Sequence, residues 1–199
     1  MCRLFETIKV VNGMPQHLTW HEDRMNRARR EIWPTEKPVV LQPLLVVPQE
    51  FSEGQVRCNI LYGPGIQNIK FKTYESRIIR SLKLVKCDAI DYHLKFTERF
   101  LFESLMTLRG ECDEIIIVKN GLLTDTSISN IIFCEGKNWV TPAKPLLKGT
   151  CRERLIAEER IIEQDIRPED IIKFEGCKII NALRDPCEEM MIPVSRIYQ

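Results

Sequence analysis

Asn-Gly occurs twice in this chain, at Asn12-Gly13 and at Asn120-Gly121, and each pair has apolar residues on both sides. The pair suits a two-residue turn whose central residues both take positive φ, which folds one strand back antiparallel on the next. Leu4 to Val11 enters the first turn, and Met14 to Leu18 is read as the return. "EIIIVK" enters the second, and "NIIFCEGKNWVT" follows it as further strand. Two hairpins this far apart call for sheet in both halves of the chain.

Helices are expected between the strands. Thr19 and Glu22 have capping-box spacing, so "TWHEDRMNRARREIW" is expected to be helical and to stop before Pro34. Residues 35–55 are proline-rich and show no period. "VRCNILYG" and "IQNIKFKTYE" read as strands around Gly63-Pro64-Gly65, and "RSLKLVK" as another. Phe96, Phe100, Leu101, Leu105 and Leu108 then recur at helical spacing, and Gly110 ends the run. A helix from about Cys151 to Gln164, a short one led by Pro168 and a strand in "CKIINAL" complete the pattern. The pattern changes near residues 85–94, so two α+β domains are expected: a small N-terminal one over 1–88 and a C-terminal one over 89–199.

Composition narrows the function. At 44% hydrophobic and 29% charged residues the chain can bury a core, and a net charge of +1 speaks against a nucleic-acid partner. With no long apolar run, no signal peptide, membrane span or membrane partner is expected, and the cytoplasm is the expected location. Eight scattered cysteines without a C-x-x-C pair, and histidines only at positions 17, 21 and 93, give no metal site.

Four short stretches carry chemistry. His21 and Arg24 share a helix face, and a guanidinium is a planar fork for phosphate or carboxylate; a solvated basic face, with Arg27, Arg29 and Arg30 nearby, is the other reading. In "HLKFTER", Lys95 stands where an extended segment meets an apolar helix. There it is either a solvated lysine or a nucleophilic amine able to form a Schiff base. Asp125 is followed by Thr126, Ser127, Ser129 and Asn130, either an Asx turn or a carboxylate facing a ring nitrogen. Gly149 leads into Thr150, Cys151 and a helix, whose first backbone N–H groups suit an anion. Arg152 and Arg154 oppose the helix dipole there, a conflict that an anionic ligand would relieve. Cys151 sits where a thiolate is favoured.

In order and spacing these stretches resemble the class IV aminotransferases, the fold-type IV pyridoxal-phosphate enzymes. The family includes branched-chain and D-amino acid aminotransferases and 4-amino-4-deoxychorismate lyase. "FETIKVVNGMPQHLTWHEDRMNRA" is similar to its opening, "HLKFTER" to its lysine segment, "CDEIIIVKNGLLTDTSISNIIF…WVTPAKPLLKGTCRERLI" to its longest signature, and "IINALRDP" to a late segment near the cofactor phosphate.

The resemblance implies an α+β, two-domain D-amino acid aminotransferase-like fold that binds pyridoxal 5′-phosphate. It implies Lys95 as the Schiff-base lysine and proton carrier, and Arg24 on the phosphate with the backbone of Gly149, Thr150, Cys151 and Ala182. Asp125 would pair with the pyridine nitrogen, and Asn130 would lie in the cofactor site. Glu6, Arg99 and Ser127 would lie toward a small-molecule substrate. Asp125 stands where the family usually has Glu. The resemblance starts almost on the first strand, so an N-terminal strand and loop of the family are expected to be missing.

Arg99, four residues after Lys95, is similar to the lyase branch, which converts 4-amino-4-deoxychorismate to 4-aminobenzoate and pyruvate. A transaminase acting on branched-chain or D-amino acids is the alternative, and a non-catalytic cofactor-binding protein a third. A homodimer is implied by the family alone.

Overall fold

The computed structural model describes residues 3–199; Met1 and Cys2 lie outside it. The chain divides into two compact units. The first runs to Ser76 and takes in Leu94–Glu98; the second holds Arg77–His93 and Arg99–Gln199.

The first unit is an antiparallel sheet with a helix on one face. Strands β1 (Leu4–Val11), β2 (Met14–Pro15), β3 (Gln55–Tyr62) and β4 (Ile66–Thr73) lie in the order β2-β1-β3-β4, and α1 spans Leu18–Ile32. Asn12 and Gly13 take φ of 47° and 75°, the conformation that two-residue hairpin turns require. On β1 the core side is Leu4, Glu6, Ile8 and Val10, an apolar row with one carboxylate in it. It packs with Met25 and Ala28 of α1 and with Val56, Cys58, Ile60 and Tyr62 of β3.

Two local expectations fail here for identifiable reasons. The return strand stops at Pro15 because the chain already turns into α1 at Leu18. The capping box does not form: His17, in left-handed conformation, is the N-cap, and the Glu22 carboxylate accepts the Leu41 N–H at 2.7 Å instead.

The second unit contains two sheets. One holds β5 (Leu82–Lys86), β6 (Glu114–Lys119), β7 (Leu122–Thr126) and β13 (Ile197–Tyr198), in the order β13-β5-β6-β7. The other holds β8 (Asn130–Glu135), β9 (Asn138–Pro142), β10 (Ile162–Gln164), β11 (Gly176–Ile180) and β12 (Ile192–Pro193), in the order β10-β9-β8-β11-β12. The short helices α2 (Phe100–Met106) and α3 (Thr150–Ala157) complete it.

Strand β8 is buried on both faces, which explains its unbroken apolar run. Ile131 and Phe133 join a core with Leu82, Ile116 and Val118 of the first sheet. Ile132 faces the other way, onto Cys151 and Leu155 of α3.

The division differs from a single cut after residue 88. Strand β5 pairs in parallel with β6, so it goes with the second unit. The segment around Lys95 is not helical. Phe96 bridges Leu4, Phe5 N–H donates to the Lys95 carbonyl at 3.0 Å, and Thr97 N–H to the Arg3 carbonyl at 3.1 Å. Backbone pairing to β1 therefore overrides the apolar period. The helix starts at Phe100, and Phe100 and Leu108 are exposed. Likewise α3 ends at Ala157, because residues 162–164 pair in parallel with β9. Among the described residues no helix is long and apolar enough to cross a membrane.

Ile116 is fully buried in the larger core. Replacing it by Ala is expected to reduce unfolding free energy by roughly 2–5 kcal/mol, read from urea denaturation.

Candidate active site

The predicted site residues fall into two sets, one in each unit. In the first unit β3 covers one edge of β1 along its whole length, so the Lys95 segment lies on the other edge, ahead of β2. The Lys95 ammonium stands 4.5 Å from the centroid of the Phe5 ring, within reach of its π face.

Glu6, the next residue, points to the opposite face and is fully buried. One oxygen accepts Arg24 Nε–H at 2.9 Å; the other accepts Arg24 Nη2–H at 2.5 Å and lies 2.7 Å from His21 Nδ1. Burial alone would raise the Glu6 carboxyl, but the Arg24 charge and the His21 hydrogen bond outweigh it and hold the group at about 2. Burial lowers the proton affinity of His21; the Glu6 contact offsets this in part, while Arg24 and Lys95 add to it. Both Glu6 oxygens are thus engaged inside the first unit.

In the second unit Asp125 lies near the end of β7 and is 5% exposed. Its Oδ1 accepts Asn130 Nδ2–H at 2.8 Å, and its Oδ2 accepts the Leu147 N–H at 2.9 Å. Asn130 Nδ2 also donates to the Leu147 carbonyl at 2.8 Å, closing a clamp. Gly149 completes it: a Cβ there would lie 1.9 Å from Asn130 Oδ1. The glycine is needed for close approach, since its φ of −69° is ordinary. Burial pushes the Asp125 carboxyl up to about 6, against the hydrogen bonds from Leu147 and Asn130.

The hydroxyls around Asp125 have local partners. Thr124 donates to the Ile117 carbonyl, Thr126 closes the turn onto Ser129, and Ser127 donates to Glu114 at 2.9 Å. Ser129 Oγ accepts Asn181 Nδ2–H at 2.7 Å, which ties the turn bearing Ala182 to the residue before Asn130. Arg99 donates to the Tyr92 hydroxyl at 3.0 Å and to the Ser127 carbonyl, with its guanidinium carbon 4.5 Å from the Phe102 ring centroid. Glu114, with 1% exposure, holds both the N–H and the hydroxyl of Ser127. The sequence reading missed it; its signal was a carboxylate heading the apolar run "EIIIV".

Thr150 and Cys151 open α3, as expected. Two expectations there are corrected. Arg152 and Arg154 find side-chain anions: Arg152 pairs with Glu153 and with Glu163 at 2.6 Å, and Arg154 with Glu158 and Asp185 at 3.1 Å each. Burial pushes the Cys151 thiol up to about 11, outweighing the helix start.

The sequence profile of amino-transferase class IV matches residues 92–197. An uncharacterized protein of Haemophilus influenzae is 42% identical over 185 residues, 92% of this chain and 98% of its own. The chain belongs to the class IV aminotransferases. The solved structure of a proposed 4-amino-4-deoxychorismate lyase from Haemophilus somnus superposes with a TM-score of 0.85 at 35% identity, covering 93% of this chain and 98% of that one. A hypothetical aminotransferase of Mycobacterium tuberculosis, solved with pyridoxal phosphate bound, shares the fold at TM-score 0.69 and 14% identity, over 96% of this chain and 80% of that one.

This class IV aminotransferase is therefore a pyridoxal-phosphate-dependent enzyme, a lyase or transaminase of fold type IV. The donor chemistry of Asp125 fits that group. A carboxylate has about four acceptor sites, and Asn130 with the Leu146 and Leu147 N–H groups occupies only part of them. These donors are neutral, and the Arg152 charge favours the ionised carboxylate without outweighing burial. A protonated pyridine nitrogen is chemically suited to such a carboxylate.

Two outcomes are expected. The raised Asp125 value means that ionising it penalises the folded state: the penalty is absent below the unfolded value of 3.8 and complete above about 6. Between about pH 3.5 and about pH 8, ligand-free protein should lose about 3 kcal/mol of stability relative to Asp125→Asn, read from denaturation at each pH. Gly149→Ala should displace the Asn130 amide and reduce stability by roughly 1–3 kcal/mol, the cost of overpacking.

Proposed function

We propose that this enzyme is a lyase that converts 4-amino-4-deoxychorismate to 4-aminobenzoate and pyruvate. The observation that carries the reading is the 35% identity, over 93% of the chain, to the proposed lyase of that substrate. Arg99 supports it, standing four residues after Lys95 with its guanidinium held by the Tyr92 hydroxyl, the Ser127 carbonyl and the Phe102 ring.

In this reading Lys95 is the Schiff-base lysine, and its amine moves the proton on the substrate carbon that bears the amino group. Arg24 and the first N–H groups of α3, from Thr150 and Cys151, hold the phosphate. Asp125, oriented by Asn130 and Leu147, would face the ring nitrogen and favour its protonated form. Pyridoxal phosphate, when bound, supplies the aldehyde and an electron-withdrawing ring. Glu6 and Ser127 act by orienting Arg24 and the Arg99-binding carbonyl, because their polar atoms are already engaged. A homodimer, expected of the family, belongs to the same proposal.

Purified protein with pyridoxal phosphate should release pyruvate from 4-amino-4-deoxychorismate. Glutamate formed from an amino acid and 2-oxoglutarate, with no pyruvate from the first substrate, would overturn the lyase reading. Lys95→Ala should abolish near-visible absorbance and lower turnover by about 10³-fold. A fully active variant would show that Lys95 is not the catalytic amine.

A further inference from the structure

We propose that Glu6 is the positioning residue of the Arg24 guanidinium, and through it of a phosphate-bearing aldehyde ligand; this rests on the reading of Arg24 given above.

The argument starts on β1. Leu4, Glu6, Ile8 and Val10 alternate onto one face, and the neighbours of Glu6 in that row are apolar and buried. A carboxylate there loses all contact with water and needs strong compensation to persist. Packing alone would be served by a fourth aliphatic residue. The compensation comes from one face of α1, where His21 and Arg24 stand three residues apart. Arg24 meets Glu6 through Nε and Nη2, one edge of the fork on both carboxylate oxygens. A two-point grip fixes the plane of the guanidinium as well as its position, which a single contact cannot do. His21 holds the oxygen that Nη2 uses, so the carboxylate itself cannot swing. The low proton affinity of Glu6 keeps this grip ionised through the neutral range.

A purely structural ion pair and a positioning pair differ in what they affect. A structural pair supports the fold and therefore binding of any ligand. A positioning pair affects the ligand that carries phosphate and leaves its dephosphorylated form alone.

The test compares binding of pyridoxal phosphate and of pyridoxal by absorbance titration of ligand-stripped protein, with a thermal melt as the check on folding. In Glu6→Gln the dissociation constant for pyridoxal phosphate is expected to rise about tenfold or more, as for loss of an oriented charge-assisted contact, with that for pyridoxal unchanged within about twofold. Should Glu6→Gln fail to fold, Glu6→Asp keeps the charge, shortens the reach and is expected to show the same selective loss. Equal weakening of both ligands, or no change in either, overturns the positioning role. Wild-type protein that binds neither aldehyde overturns the cofactor reading itself, a distinct result.

Discussion

Burial of β8 on both faces is the constraint on which the second unit depends. Ile131 and Phe133 face a core shared with the first sheet, and Ile132 faces α3. A strand enclosed in this way cannot slip by one residue without sending its apolar set to the wrong side. Its first residue, Asn130, is therefore placed as firmly as its core residues. Asn130 passes that placement to Asp125 and to the Leu147 carbonyl by hydrogen bonds, and Gly149 lets the backbone close against it. The carboxylate and the helix start are thus fixed relative to each other by β8, whose first residue holds Asp125 and whose Ile132 packs on Cys151.

The two units treat buried carboxylates in opposite ways. Glu6 has a guanidinium on it and is held acidic; Asp125 has only neutral donors and is pushed toward the protonated form. The first arrangement completes its charge within the protein. In the second, the neutral donors and the more distant Arg152 charge do not outweigh burial, so ionising Asp125 costs stability.

Much of the fold was legible because its signals were local. The Asn12-Gly13 turn, the strands on either side of Gly63-Pro64-Gly65 and the end of α1 before Pro34 follow from residues within a few positions. The failures came where a distant partner outbid the local preference. Leu41 took the Glu22 carboxylate that the capping box needed, and β1 drew the segment around Phe96 out of helix. In the site, Asp125, Asn130 and Gly149 were readable as a set from the signature, and the structure brings them together. The carboxylates that answer Arg152 and Arg154 were not readable, since Glu163 and Asp185 are remote in sequence. Nor was Glu114, whose partner Ser127 stands in the turn just after the next strand, β7.

Residues 94–98 return to the first unit while the chain on both sides belongs to the second. The two units are therefore not beads on a string. A fragment ending before Leu94 loses the lysine and the segment that pairs with the start of β1; a fragment beginning at Arg77 keeps the lysine but has no β1 to set its backbone. The lysine and β1 travel together only in a stretch that runs through Glu98, and that stretch also carries β5 of the second unit away from β6.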